Sequence, residues 1–167
     1  LLRDPIISVK DVLKKKTDVY FEKGNIYVSI GRLTKQKNFL FLLKAFKEII
    51  DKNKNNYLYI LGTGENFFQL KNFIKSNRLE KNIFLMGYEN DVYKYLKSAK
   101  AFILASLWED PGFVLIEAAF ANTSIISSDC KNGPLEILNN GENGHIFQSN
   151  NINSFIKTFE KFNSLEN

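Results

Sequence analysis

The 167-residue chain has a single cysteine, a single histidine and only three prolines, and each scarcity closes off a class of protein. One cysteine, Cys130, cannot make an internal disulfide, so a disulfide-stapled scaffold is excluded and a reducing compartment fits. His145, flanked by Gly144 and Ile146, has no second metal ligand nearby in sequence and reads as structural. No apolar run approaches the roughly 20 residues needed to span a bilayer. The opening Leu1-Leu2-Arg3-Asp4-Pro5 lacks the basic flank and apolar stretch of a signal peptide, and it reads as a chain continuing from an earlier segment. A cytoplasmic location is the resulting expectation.

What is present is the composition of one globular α/β domain, with 44% hydrophobic and 25% charged residues. A formal charge of +5 favours anionic partners: phosphates, an acidic membrane face or nucleic acid. Much of that charge lies in lysines mixed with asparagines, as in Lys52-Asn53-Lys54, without the arginine-aromatic interleaving of an RNA surface. No nucleic-acid partner is therefore expected, and these runs read as solvated surface.

Periodicity supplies the fold. Ile26 to Ile30 is a β-prone run ending at Gly31, followed by a helical stripe of Phe39, Leu42, Leu43, Phe46 and Ile50. The unit repeats with Tyr57 to Leu61 ending at Gly62, then Phe67, Leu70, Phe73 and Ile74 at helical spacing. A strand at Ile83 to Met86 stops at Gly87, and further elements are expected as helix 91–99, strand 101–105, helix 113–121, strand 124–128, a short helix near Leu135 to Leu138, a strand near His145 to Phe147 and helix 151–163. Apolar strands alternating with helices predict a Rossmann-like, doubly wound parallel sheet over 25–167, with 1–24 as linker and start of the domain. Ligands bind such sheets at the carboxyl ends of the strands.

Two of those strand ends carry chemistry. Gly31-Arg32-Leu33-Thr34-Lys35-Gln36-Lys37 sets two cations beside a loop that opens a helix, a natural pyrophosphate site in which Arg32 forks onto phosphate oxygens and Lys37 adds a point charge. In Ser106 to Glu117, Glu109 and Glu117 stand eight positions apart, the first in a loop and the second inside a helix, so both can approach one ligand. Gly112 leaves the backbone open at that helix's start, where the amides of Gly112, Phe113 and Val114 can receive an anion or sugar hydroxyls. As bidentate acceptors, Glu117 suits a ribose diol and Glu109 the hydroxyls of a sugar. Gly62-Thr63-Gly64-Glu65 lacks the full dinucleotide glycine spacing, which argues against an NAD site.

Taken in order, Val28-Ser29-Ile30-Gly31-Arg32-Leu33 with Lys37, Leu61-Gly62-Thr63-Gly64-Glu65, Met86-Gly87-Tyr88, the pair Glu109 and Glu117, and Gly133-Pro134-Leu135-Glu136-Ile137 resemble the C-terminal domain of the retaining glycosyltransferases of family 4, which have the glycosyltransferase-B fold. The resemblance implies that Arg32 and Lys37 bind the diphosphate of a nucleotide-sugar donor, Glu109 and the amides of Gly112 to Val114 its sugar, and Glu117 its ribose. It places the base near Gly62 and the Gly87-Tyr88-Glu89 turn. It further implies catalysis without a metal or other cofactor, with Arg32 and Lys37 stabilising charge on the leaving diphosphate and Glu109 counted beside them as a catalytic residue. The acceptor, a glycan or lipid-linked sugar, would meet an N-terminal domain outside this chain, which alone should transfer no sugar. Bacterial envelope polysaccharide or glycan synthesis, with peripheral docking at the inner membrane face, is the implied setting. Members of the family commonly follow the first glutamate with Gly-Phe or Ser-Phe, whereas this chain has Asp110-Pro111. Two other readings of the same residues are a nucleotide-sugar sensor or scaffold, and a glycoside hydrolase using Glu109 and Glu117 as acid and nucleophile.

Overall fold

A computed structural model describes residues 21–165. Six strands form one sheet: β1 (Asn25–Ile30), β2 (Asn56–Leu61), β3 (Ile83–Gly87), β4 (Ala101–Leu104), β5 (Ser124–Ser128) and β6 (His145–Phe147). The helices between and after them are α1 (Phe39–Lys52), α2 (Phe67–Ser76), α3 (Tyr93–Leu96), α4 (Phe113–Phe120), α5 (Pro134–Ile137) and α6 (Ile152–Leu165). Every strand pairing is parallel, in the order β3-β2-β1-β4-β5-β6. The chain therefore winds outward from β1 in one direction and from β4 in the other. The connections part at the β1/β4 seam, and loops leaving these two strands diverge to open a crevice.

The alternation legible in sequence becomes two apolar layers. On one face α1, α2 and α6 bury Phe39, Leu42, Leu43, Phe46, Leu70, Phe155 and Phe159 against Tyr27, Leu58 and Ile60. Aromatic rings knit this layer: Tyr27 lies 4.8 Å from Phe159 and 5.5 Å from Phe46 between centroids, and its hydroxyl donates to Asn163 Oδ1 at 2.9 Å. Full burial of each such side chain contributes about 1.5–3 kcal/mol. On the opposite face Val28, Tyr59, Phe102 and Leu104 meet Tyr95, Leu96, Leu115 and Ala118 of α3 and α4. His145 packs edge-on against Phe162 at 5.2 Å, in keeping with a structural role.

Element bounds differ from the sequence reading chiefly at one place. The helix expected over 91–99 is a single turn, Tyr93–Leu96. Ser98 and Ala99 amides donate to carbonyls only three residues back, Tyr95 and Leu96, and the Lys100 amide donates to Ile26 at 2.7 Å. The chain has to tighten there to enter β4 beside β1. Val92 and Ala99 still pack on the same apolar layer, which is why the spacing resembled a longer helix. Strand β4 ends at Leu104 and α4 at Phe120, each one residue short of expectation. Of the linker assigned to 1–24, residues 1–20 lie outside the described residues; Phe21 packs edge-on against Tyr59 at 4.9 Å and against Tyr95 at 5.8 Å.

Candidate functional site

The loops after β1, β2 and β3 stack on one another through glycines. A Cβ on Gly62, where φ is +138°, would stand 2.0 Å from the Gly31 carbonyl oxygen, so no side chain fits. The Gly62 amide donates to the Gly87 carbonyl at 2.6 Å, and the Leu33 amide to the Thr63 carbonyl at 2.9 Å. This close approach fixes the backbone from which Arg32 projects into solvent.

The stacked loops form one wall of a cleft of about 300 Å³ at the carboxyl ends of the strands, and Glu117 of α4 forms the other. Gly31, Arg32, Gly62, Tyr88, Glu89 and Glu117 all line it, so six residues singled out in the sequence converge there. Gly87, immediately before Tyr88, holds the Gly62 amide. Thr63 and Val92 also line the cleft and were given no ligand role in the sequence; nothing in their type distinguishes them from ordinary loop residues. Arg32 and Glu117 have no ion-pair partner among the described residues. Burial raises the Glu117 carboxyl above the usual glutamate range, as expected for a half-buried acid with no cation beside it. Glu89 differs: its carboxylate accepts from the Tyr95 hydroxyl at 2.8 Å and pairs with Lys94 at 3.1 Å, and these contacts lower its pKa. Burial, and then Glu89 itself, push the Tyr95 phenol up to about 12.

Lys37 and Glu109 form a separate corner beside the cleft. The Lys37 ammonium donates to both carboxylate oxygens of Glu109, at 2.7 and 2.9 Å, and Ser106 Oγ donates to Oε1 at 2.5 Å. Glu109 is only 3% exposed. The lysine stem runs across Gly31, where a Cβ would meet its Cε at 2.9 Å, so the ammonium is delivered to the edge of the Arg32 cleft. The backbone keeps this corner in register: the Leu107 amide donates to Gln36 at 2.8 Å and the Glu109 amide to Lys131 at 2.9 Å. Gly133 is needed for it, since a Cβ there would lie 2.1 Å from the Pro111 carbonyl oxygen.

The two glutamates are thus held differently. Glu117 lines the cleft and Glu109 does not, being sequestered by Lys37 and Ser106. A hydrolase would need two carboxyls free to face one sugar, whereas one of this pair is already engaged by a lysine and a serine. Ser106 was given no role in the sequence reading; its bond to Glu109 spans three residues within a loop. Gly112 caps α4 with φ of +91°, no side chain caps that helix, Val114 is buried and Phe113 exposed. Burial pushes the Cys130 thiol up, the environment of a structural cysteine. A larger hollow, about 460 Å³, lies at the sheet's opposite end, where Lys52 on its wall is already paired with Glu160 at 2.7 Å.

The chain has relatives among known proteins. The family model for glycosyl transferases group 1 matches residues 11–167. The chain belongs to that family. It is 40% identical over 126 residues to an uncharacterised glycosyltransferase of Methanocaldococcus jannaschii, covering 75% of this chain and 31% of that protein. It is also 34% identical over 155 residues to the Escherichia coli UDP-Gal:alpha-D-GlcNAc-diphosphoundecaprenol alpha-1,3-galactosyltransferase, covering 91% of this chain and 40% of the relative. Among solved structures, a TarM mutant of Staphylococcus aureus in complex with Fondaparinux, alpha-GlcNAc-glycerol and UDP is similar with a TM-score of 0.78 at 26% identity, over 89% of this chain and 31% of that one. The chain thus spans about a third of the length of these family members, and its α/β sheet corresponds to one half of a glycosyltransferase-B fold. No helix among the described residues is long and apolar enough to cross a membrane.

Proposed function

We propose that this chain is the donor-binding half of a retaining glycosyltransferase of family 4 that transfers a sugar from a nucleoside diphosphate to an acceptor hydroxyl. The observation that carries the reading is the pairing of opposites in one cleft: Arg32 and Glu117, each without an ionic partner among the described residues, face each other across the β1/β4 switch point. A nucleoside diphosphate supplies what each lacks. Its phosphates accept from the Arg32 guanidinium, and its ribose diol donates to the Glu117 carboxylate. The base lies toward Gly62 and Tyr88, against backbone.

Lys37 extends the positive wall toward the sugar end, and Glu109 serves mainly to hold its ammonium there. The sugar hydroxyls and distal phosphate take the uncapped amides of Gly112 to Val114. During transfer, negative charge accumulates on the leaving diphosphate, and Arg32 and Lys37 stabilise it without reorganising at the moment of reaction. In this account the cations do the electrostatic work and no metal takes part. The acceptor is met by the remainder of a longer protein, at the cytoplasmic membrane face, in glycan or envelope polysaccharide synthesis. The undecaprenol-linked acceptor of the Escherichia coli relative and the UDP bound by the TarM mutant support this setting and make UDP-sugars the first donors to test.

Thermal-shift titration with UDP, GDP, ADP and their sugars tests the proposal. One nucleoside diphosphate should raise the midpoint in proportion to ln(1 + [L]/Kd), and its nucleoside should do so far less. No shift with any of them at millimolar concentration would refute donor binding.

A further inference from the structure

β3 is an edge strand, paired with β2 alone, and its far side has no ladder partner among the described residues. Along that edge runs an apolar groove of about 400 Å³, floored by Ile83, Leu85 and Met86 and walled by Phe67, Ile74 and the two lysines Lys71 and Lys75 of α2. Lys71 stands over the Phe67 ring at 5.9 Å, and neither lysine is ion-paired among the described residues. Glu80 is the one acid on the groove. The groove is distinct from the donor cleft, which begins only at Tyr88.

We propose that this edge takes an extended polypeptide segment of alternating apolar residues flanked by acids, which adds to the sheet as a further strand. An unpaired strand edge beside a helix offers main-chain bonds for affinity and a side-chain groove for specificity. The lysines set the charge of the partner. Other occupants fit less well. A bilayer would leave the outward amides and carbonyls of β3 unsatisfied in hydrocarbon. A second copy would set Lys71 and Lys75 against the same two lysines.

The test uses the full chain and a fluorescein-labelled peptide of alternating valine and threonine with two glutamates at each end, read by fluorescence anisotropy. It should bind, and binding should slow hydrogen exchange at the Leu85 amide. Reversing both lysines, Lys71→Glu with Lys75→Glu, should weaken that peptide about tenfold or more and strengthen a lysine-flanked version, an exchange of preference that misfolding cannot mimic. N-methylation of one alternate set of peptide amides should abolish binding and of the other set should not. Absence of binding, equal affinity for the two flanked peptides, or indifference to N-methylation of both sets overturns the proposal. So does self-association through this edge, or capture of the chain on phosphatidylglycerol vesicles that the lysine reversals abolish.

Discussion

The two charged regions at the carboxyl ends of the strands are built on opposite terms. In the Lys37 and Glu109 corner every charge has a protein partner, the carboxylate is buried, and a serine holds it as well. In the cleft Glu89 is paired with Lys94, but Arg32 and Glu117 have no ionic partner among the described residues, one exposed and the other half-buried at the cost of a raised pKa. The first region is organised before any ligand arrives, and the second is completed by one. A residue's worth to folding and its worth to binding should therefore separate between them.

The largest effect expected is on stability at the paired corner. Lys37→Ala strands a buried carboxylate and should cost about 3 kcal/mol, whereas Lys37→Met combined with Glu109→Gln should recover most of that loss in chemical denaturation. Neither variant should restore nucleoside diphosphate affinity, because both lack the ammonium at the cleft's edge. If the double replacement is as unstable as the single one, the corner is not an isolated ion pair.

Arg32→Ala should behave in the reverse sense. Stability should change by less than about 0.5 kcal/mol, as for a surface cation without partners, while diphosphate binding weakens about tenfold or more. Calorimetry with nucleoside alone should show little change, and an equal loss for both ligands would remove Arg32 from the phosphates.

A smaller and pH-dependent effect is expected at Glu117. Its folded-state pKa lies above that of the unfolded chain, so as pH rises from the usual glutamate range toward the raised value the unfolded chain ionises first and stability is lost. Glu117→Gln should abolish that decline and leave the free domain slightly more stable at neutral pH, while weakening nucleoside and diphosphate by similar factors. Denaturation midpoints at several pH values read the first part; a variant that declines as steeply as the parent would contradict it. Smallest of all, EDTA should leave diphosphate affinity unchanged, and a loss on chelation would bring a metal into the account.

Much of this was legible in the residues themselves. Strand runs ending in glycine located the sheet's carboxyl edge, because Gly31 and Gly62 have to let one backbone pass within contact of another. Arg32 and Glu117 were found from their chemistry and position at those ends. The pairing of Lys37 with Glu109 was not, since 72 residues separate them and each looked equally able to meet a ligand. Only the fold shows that they meet each other first. Ser106 was missed for a different reason: its partner stands only three residues on, but the two side chains meet only once the loop is closed. The overlong helix over 91–99 shows the converse: spacing reports which residues face the core, and Val92 and Ala99 do so without being helical.

The contrast between the two regions is tested most directly by a nuclear magnetic resonance titration of the labelled 19.3 kDa chain with UDP, or with the diphosphate that the thermal screen selects. Amide shifts should concentrate at Gly31, Arg32, Gly62, Tyr88 and Glu117, with Lys37 responding and the buried Ser106 amide hardly moving. Shifts gathered instead around Asn25, Asn56 and Lys100, at the far end of the sheet, would contradict the assignment of the site.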